Sequence, residues 1–228
     1  MKQKQQKNQS RIEDKHVLIV TSVEAEKEAV KRGLQNTGKF TVISGGVGPM
    51  AAAASTAAAI AAHPYDYVVV MGIAGGFKGR APVRSIVVAT ELIASDMGAE
   101  TEDTFLSLDD LGLGTSSIEA DRAISEDLAL CFNHRQVPVY RGAVLTSATV
   151  TGTKQKEEVL RRRYSNAAAE AMEGFGAATA AAQRGIPILE IRSISNEVGP
   201  RNREAWDIKG ALSSLETAGA VLKEAFLK

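Results

Sequence analysis

The chain has 228 residues, and its 27 Lys plus Arg residues equal its 27 Asp plus Glu residues, which gives a formal net charge of zero. This length suits one α/β domain with a sizeable core. The even charge balance gives no electrostatic reason to expect a nucleic acid or an anionic membrane as the partner, so we expect a small molecule.

The cysteine and histidine content argues against a disulfide framework and against a metal centre. Cys131 is the one cysteine, and His16, His63 and His134 are scattered without metal-ligand spacing. Residues 1–15, MKQKQQKNQSRIEDK, contain no apolar segment, and nowhere do about 18 apolar residues run uninterrupted. We therefore expect a cytoplasmic protein with a disordered polar tail at 1–15 and one domain at 16–228.

Short apolar runs alternate with helical patterns along this domain. The run HVLIVT at 16–21 is typical of a parallel strand buried on both faces. The predicted strands lie at 16–21, 40–44, 67–71, 85–93 and 139–145, with one more ending at Ser195 and Asn196. The predicted helices lie at 24–34, 51–62, 117–132, 154–164, 174–182 and 207–227, and a long irregular connection is expected at 95–110. This alternation predicts a single α/β domain with a mixed, largely parallel central sheet flanked by helices.

Two glutamates, Glu24 and Glu26, lie in the first helical turn after the first strand. Both suit the helix dipole there, which favours anions, and this role needs no ligand. A carboxylate at the carboxyl end of a buried strand is also where open α/β sheets bind ligands. The sequence alone leaves both interpretations open.

Glycine-rich turns are predicted after the second and third strands. Gly46, Gly48 and Ala51 have G-x-G-x-x-A spacing, but a dinucleotide site would need this motif after the first strand and an acid at the end of the next strand, whereas Asp66 opens its strand. The glycines still let backbone N–H groups approach a ligand at a helix N-terminus. Because GIAGGF at 72–77 is a second such turn, we predict one shared crevice.

The stretch at 169–199 brings polar residues from two elements together. We predict that it runs from a helix start carrying Met172 and Glu173, through a small-residue helix, into a buried strand that ends at Ser195 and Asn196. A short connection returns the strand beside its helix, so a carboxylate and an amide converge on one small molecule.

The polar groups in this pattern suit the hydrolysis of a glycosidic bond. The sequence has no G-x-S-x-G elbow, no Walker A loop and no cysteine–histidine pair placed for nucleophilic attack. Glu26, Glu173 and Asn196 remain, beside the glycine turns at Gly46 and Gly75. One carboxylate can orient water, another can stabilise a cationic transition state, and a neutral amide can bind the leaving group.

Five motifs that occur in order resemble the nucleoside phosphorylase and nucleosidase superfamily over essentially residues 15–228. They are VEAEKE, SGGVGPMAAAA, MGIAGG, AMEG and IRSISN. Within the superfamily, SISNEVG, ASDMGAE and LTSATVTG most resemble the futalosine hydrolase family of menaquinone biosynthesis. The resemblance implies a nucleoside substrate and a homodimer or higher homo-oligomer.

The resemblance also implies roles for individual residues. Glu26 aligns with the glutamate that activates the attacking water in methylthioadenosine nucleosidase, and Glu173 aligns with the residue that holds the ribose hydroxyls. Asn196 takes the place of the aspartate that protonates adenine at N7, so the predicted catalytic residues are Glu26 and Asn196. The predicted substrate-binding residues are Gly75, Val150, Met172, Glu173, Arg192 and Ser195.

Four positions depart from the superfamily's patterns. Asn196 donates a hydrogen bond to O6 or N7 but carries no proton to transfer, which favours hypoxanthine, although asparagine also pairs with the N6 and N7 edge of adenine. Ile73 replaces the phosphate-binding serine of the phosphorylases and disfavours phosphorolysis. Ala171 replaces a second glutamate and Val150 replaces an aromatic residue of methylthioadenosine nucleosidase.

Two arginines after the last predicted strand are candidates for the 5′ substituent. Futalosine carries a carboxylate on that side, and Arg201 or Arg203 could pair with it. Solvated loop arginines are the simpler interpretation. Trp206 either covers the site or anchors the last helix.

We therefore expect an N-ribosyl hydrolase that releases hypoxanthine from futalosine, without a metal or an organic cofactor. The first alternative is a methylthioadenosine, S-adenosylhomocysteine or aminodeoxyfutalosine nucleosidase that releases adenine. The second alternative is a non-catalytic nucleoside-binding domain.

Overall fold

The computed structural model describes residues 15–35 and 38–227. Residues 1–14 of the predicted tail lie outside the described residues. Lys15, the last residue of that predicted tail, places its ammonium group 4.5 Å from the centre of the Tyr67 ring. None of the helices in the described part of the chain is long and apolar enough to cross a membrane.

Strands and helices alternate along most of the described residues, except that five strands, β3 to β7, follow one another without a helix between them. The strands are β1 (Val17–Thr21), β2 (Phe40–Ser44), β3 (Tyr67–Gly76), β4 (Ile86–Ala94), β5 (Gly98–Glu100), β6 (Phe105–Ser107), β7 (Ser117–Glu119), β8 (Val139–Thr146), β9 (Ala167–Ala171) and β10 (Ile188–Glu197). The helices are α1 (Glu24–Leu34), α2 (Pro49–Ala62), α3 (Arg122–His134), α4 (Lys154–Arg163), α5 (Gly174–Ala182) and α6 (Ile208–Leu227), and a 3₁₀ turn spans Arg203–Ala205.

The main sheet is mixed, as predicted. Its parallel pairs are β1 with β2, β1 with β3, β3 with β10, β4 with β8, and β8 with β9. Its antiparallel pairs are β10 with β4, β3 with β9, and β4 with β7. The pairings of β3, β10, β4, β8 and β9 close into a ring, so the strand ends that carry polar residues face one enclosed region.

The alternation of side chains along β1 explains why helices cover both faces of the sheet. Val17 and Ile19 belong to one buried cluster with residues of α1, α3 and α6. Leu18 and Val20 belong to a second cluster with alanines of α5. A strand buried on both faces needs apolar residues at successive positions, and Val17, Leu18, Ile19 and Val20 supply them before the strand ends at Thr21.

The helix predicted at 117–132 lies at Arg122–His134, so both predicted ends are too early in the sequence. Residues Ser117–Glu119 form β7, which pairs with β4. The helix starts at Arg122 because Asp121 caps it, with its side-chain oxygen accepting from the backbone N–H of Ile124 at 3.1 Å. The Asp121 cap therefore sets the start of the helix, which helical periodicity alone predicted wrongly.

Tertiary pairing also overrides local preference near the predicted helix start at 169. Ala167–Ala171 has the composition of a helix, but it forms β9 between β8 and β3. The turn predicted at 72–77 is instead the end of β3, which runs to Gly76. The connection predicted to be irregular at 95–110 contains the β5–β6 hairpin.

Helices α1 and α6 pack at a point where only glycine fits. A Cβ atom added to Gly33 would collide with the backbone oxygen of Glu216 in α6. We predict that Gly33→Ala lowers the free energy of unfolding by about 1–3 kcal/mol, because one helix must move away. Urea unfolding measures this change. Gly152→Ala is the control, since a Cβ there has no atom within 4 Å, and an equal loss in both variants would contradict the packing explanation.

Candidate active site

A cavity of about 390 Å³ lies at the carboxyl ends of β1, β3 and β10. Open and closed α/β sheets both bind ligands at this edge, where loops and helix starts meet. The predicted residues that line the cavity are Glu26, Gly75, Val150, Met172, Glu173, Ser195, Asn196 and Arg201. The convergence predicted for the two ends of the 169–199 stretch is therefore present in the structure.

Glu26 is fixed at the cavity wall by four hydrogen bonds. It is 2% exposed. Its Oε2 atom accepts from the backbone N–H of Ser22 at 2.9 Å, from the hydroxyl of Ser22 at 2.5 Å and from the backbone N–H of Val23 at 3.3 Å. Its Oε1 atom accepts from the backbone N–H of Ile73 on β3 at 2.8 Å. Glu26 thus caps α1 and also presents a carboxylate to the cavity, so the two interpretations of this residue are compatible.

Glu173 is held by a guanidinium behind it. The Nη2 atom of Arg192 donates to Oε2 of Glu173 at 3.1 Å, and the backbone N–H of Gly48 donates to Oε1 at 3.3 Å. The Nη1 atom of Arg192 donates to the carbonyl of Ile73 at 3.4 Å, and its Nε atom donates to Glu190 at 2.8 Å. Arg192 is 1% exposed and does not line the cavity. The prediction that it binds substrate therefore needs a correction: it contacts Glu173, which lines the cavity.

Glu190 belongs to this cluster although the sequence analysis missed it. It is fully buried, and its Oε2 atom has no hydrogen-bond partner. Gly174, the first residue of α5, makes room for it, because a Cβ at Gly174 would collide with both carboxylate oxygens. A glutamate inside the apolar run ILEIRSIS was the available signal, since a charged residue there must be paired.

Burial and charge act in opposite directions on this cluster. Burial raises the pKa of Glu190, and the neighbouring Arg192 offsets part of that effect. Burial by itself would lower the pKa of Arg192, but the carboxylates of Glu190, Glu173 and Glu26 raise it overall. The guanidinium is therefore firmly cationic while it holds Glu173.

Asn196 presents an N–H group beside Gly75. Its Nδ2 atom donates to the carbonyl of Glu197 at 2.9 Å, and its Oδ1 atom accepts from the hydroxyl of Ser195 at 2.8 Å. The opposite orientation would place Oδ1 against a carbonyl oxygen, so these partners select the amide orientation. Nδ2 lies 3.3 Å from the position of a Cβ on Gly75. The structure thus supplies the orientation that the sequence leaves open.

The mouth of the cavity is formed by the segment after β10. Arg201 and Trp206 line it, whereas Arg203 does not. The guanidinium carbons of Arg201 and Arg203 lie 5.2 Å and 5.9 Å from the centre of the Trp206 ring. Cation–π contacts at these distances hold both arginines against the tryptophan.

The glycine turn after β2 supports the site from its other side. Gly46 and Gly48 have φ angles of 88° and 92°, which glycine adopts without strain. The N–H of Gly48 does not remain free for a ligand, because it donates to Glu173. Val47, between the two glycines, lines the cavity.

The sequence matches the profile of the Phosphorylase superfamily over residues 13–228. The chain therefore belongs to the phosphorylase superfamily. A solved structure with this fold is the 5′-methylthioadenosine/S-adenosylhomocysteine nucleosidase from Neisseria meningitidis in complex with methylthio-immucillin-A. The likeness has a TM-score of 0.81 at 20% identity and covers 92% of this chain and 99% of that one.

Two curated relatives place the chain more narrowly, among the futalosine hydrolases. It is 44% identical to the futalosine hydrolase of Streptomyces coelicolor, over 89% of this chain and 93% of the relative. It is 42% identical to the futalosine hydrolase of Acidothermus cellulolyticus, over 92% of this chain and 91% of the relative. The resemblance read from the sequence motifs is confirmed at the level of this family.

The raised pKa of Glu190 predicts how one substitution changes stability with pH. Above its ordinary value of 4.5, the folded protein holds a proton on Glu190 that the unfolded chain has lost. This contribution to stability is complete below about pH 4.5 and is lost as the pH rises through the folded-state pKa. Because Glu190→Gln does not titrate, we expect its stability relative to the wild type to increase from about pH 4.5 upward.

Urea unfolding of both proteins at several pH values checks this expectation. The exposed substitution Glu102→Gln is the matched control. A relative stability of Glu190→Gln that falls with rising pH would contradict the assignment.

Proposed function

We propose that this protein hydrolyses the N-glycosidic bond of futalosine and releases hypoxanthine and dehypoxanthine futalosine. The match to the Streptomyces coelicolor relative over nearly its whole length carries this assignment. The geometry of the cavity supports it, because a buried carboxylate, a second carboxylate held by an arginine and an oriented amide surround one space.

Glu26 is the proposed general base. In the reaction, the bond between C1′ and the purine breaks, and its electron pair leaves with the base while C1′ becomes oxocarbenium-like. Water then bonds to C1′ and gives a proton to the carboxylate of Glu26. The purine anion takes up a proton from solvent and leaves as neutral hypoxanthine, and Glu26 later returns its proton to solvent. Four protein donors fix this carboxylate, so it is oriented before the substrate binds.

Glu173 is the proposed ribose clamp. A carboxylate accepts hydrogen bonds from the 2′- and 3′-hydroxyls, and its negative charge stabilises the positive charge that develops on the sugar. Arg192 fixes its orientation from behind, at 3.1 Å. Met172, the preceding residue, lines the cavity beside it.

Asn196 is the proposed donor to the leaving group. Asn196 lines the cavity, and its Nδ2 atom has a second hydrogen besides the one donated to Glu197, with which it donates to the O6 or N7 atom of a purine. The electron pair that leaves C1′ spreads over the ring towards O6, and an N–H donor there stabilises it. By analogy with other donors of this kind, we assign Asn196 about 10²–10³-fold in rate.

Water is the proposed acceptor of the ribosyl group, in place of phosphate. The Ile73 side chain lines the cavity at the position of the phosphorylases' phosphate-binding serine and has no donor. The backbone N–H of Ile73 donates to Glu26, so this position does not offer it to an anion.

Release of adenine is the second candidate, and one observation favours it. The solved structure named above is a nucleosidase of 5′-methylthioadenosine and S-adenosylhomocysteine, and an asparagine amide also pairs with adenine. A non-catalytic nucleoside-binding domain is the third candidate, against which the pair Glu26 and Glu173 argues.

One experiment separates these functions. Purified protein is incubated in parallel with futalosine, with aminodeoxyfutalosine and with methylthioadenosine. We expect hypoxanthine from futalosine at a rate independent of phosphate. Release of adenine alone would support the second candidate, and ligand binding without any product would support the third.

We also propose that the protein forms a homodimer or a higher homo-oligomer. Large apolar side chains are exposed next to the cavity, with Met50 74%, Val47 57% and Val23 42% exposed. A second copy that covers them would remove this apolar area from water. Light scattering of the purified protein measures the assembly, and a monomer would contradict the proposal.

The role of Glu26 is tested by a pair of substitutions on α1. We predict that Glu26→Gln lowers kcat by at least about 10²-fold, since the amide cannot accept the proton from water. Hypoxanthine binding should change little, because the proposed role of Glu26 is to act on water and not on the base. Glu24→Gln is the control, on the same turn and facing solvent. Equal loss of turnover and product binding in Glu26→Gln would indicate a structural role.

Substitution of the two arginines after β10 is predicted to have different effects on the KM for futalosine. Arg201 lines the cavity and Arg203 does not, so Arg201→Met should raise KM for futalosine about 10-fold, with inosine turnover nearly unchanged. Inosine lacks the carboxylate on the 5′ side, and the ratio of the two KM values isolates that contact. Arg203→Met is the matched control. A similar rise in KM in both variants would mean that neither arginine reads the 5′ substituent.

A further inference from the structure

Glu170 is a buried carboxylate at the cavity wall to which the mechanism above assigns no task. It lies on β9, is 5% exposed and lines the cavity with Val150 and Asn196. A buried carboxylate is costly unless it is hydrogen-bonded, so its contacts and the direction that it faces need an explanation.

Three donors of the protein point at this carboxylate. Its Oε1 atom accepts from the hydroxyl of Thr151 at 2.6 Å and from the hydroxyl of Ser147 at 3.1 Å. Its Oε2 atom accepts from the backbone N–H of Thr151 at 2.9 Å. A carboxylate offers about four acceptor positions, so one position on Oε2 is left for a ligand.

Strand pairing places Glu170 opposite Asn196. Gly75 on β3 is the register partner of Glu170 on β9 and also of Asn196 on β10. The three residues form a row across neighbouring strands, in which the Cα atoms of Glu170 and Asn196 are about 10 Å apart. Gly75 has no side chain in the middle of this row, and the Val198 side chain packs against it, with Cγ2 2.9 Å from the position of a Cβ on Gly75. Val198 also lines the cavity, so a flat purine with a hydrogen bond of about 2.9 Å at either end of the row would lie over this apolar side chain.

The two ends of the row differ in hydrogen-bonding character. Asn196 presents an N–H donor, and Glu170 presents an acceptor. A 6-oxopurine has the complementary pair on one edge, with the acceptors O6 and N7 followed by the donor N1–H. Adenine has a lone pair at N1 and a donor at N6, so both of its groups meet a protein group of the same kind.

We propose that Glu170 accepts a hydrogen bond from N1–H of the departing 6-oxopurine and, together with Asn196, selects that base over adenine. This role rests on the proposed function, since it specifies which base the same cavity releases. Rejection of adenine follows from a lone pair facing a carboxylate, which leaves a buried acceptor without a donor.

Substitution of Glu170 by glutamine tests the proposal by a change in preference. The amide introduced at this position would offer an N–H group to N1 of adenine, so Glu170→Gln should weaken hypoxanthine binding about 100-fold while adenine binding stays equal or becomes tighter. Calorimetric titration with the two free bases measures both affinities. Equal weakening of both bases would show that Glu170 only anchors the 147–151 segment, and would overturn the proposal.

Thr151→Val is the matched control for that anchoring. It removes the hydroxyl hydrogen bond to Glu170 and keeps the backbone N–H that also holds it. We expect both bases to bind more weakly by a similar factor, with their affinity ratio unchanged. A changed ratio in this control would attribute the selection to the segment instead of the carboxylate.

A chemical probe tests the same contact in the unaltered protein. 1-Methylhypoxanthine keeps O6 and N7 but lacks the N1–H group, so it should bind about 100-fold more weakly than hypoxanthine. Equal affinity of the two bases would overturn the proposal. Because these titrations need no turnover, they separate the selection of the base from the proposed hydrolysis, which fails only if futalosine yields no hypoxanthine.

Discussion

The ion pairs of Arg192 are the interaction on which the rest of the site depends. A fully buried guanidinium is tolerated because Glu190 and Glu173 pair with it from two sides. The carbonyl of Ile73 also accepts a hydrogen bond from its Nη1 atom. This arrangement requires the backbone to come close, and glycine at positions 72 and 174 leaves room for Arg192 and Glu190. The same guanidinium contacts the proposed ribose clamp and, through the backbone of Ile73, lies beside the proposed base. One buried cation therefore links the carboxylate proposed as the ribose clamp to the carboxylate proposed as the general base.

The closed ring of strands gives this cluster its surroundings. Three parallel and two antiparallel pairs close the ring of β3, β10, β4, β8 and β9, so polar residues from strands far apart in the chain reach one cavity. Gly75 lies at the centre of the row that connects β9 with β10. The row puts an acceptor on Glu170 and a donor on Asn196 on either side of Gly75, and these are the two groups proposed to bind the purine.

Prediction from the sequence succeeded for strands with continuous apolar runs. It failed where strand pairing or a helix cap determined which element a segment forms or where a helix begins. The run at 16–21 reads as a strand from its residues alone, whereas β9 is a row of alanines that only its neighbours β8 and β3 make a strand. The start of α3 was missed because the Asp121 cap outweighs an amphipathic pattern. Among the site residues, Glu26, Glu173 and Asn196 followed from motifs at strand ends. Glu170 and Glu190 were missed because neither belongs to a spacing motif, although the charge of Glu190 inside an apolar run was a signal of its burial.

The sequence by itself determined the fold class, the superfamily and three of the polar residues that line the cavity, Glu26, Glu173 and Asn196, because motif spacing and hydrophobic pattern are local properties of the chain. Only the tertiary structure decided that Arg192 lies behind Glu173, that the amide of Asn196 turns its N–H towards Gly75, and that Glu170 lies across from it. Orientation and pairing depend on partners that are distant along the chain. For Arg192 and Glu173 these partners meet through buried charges, and for Glu170 and Asn196 they meet through strand register.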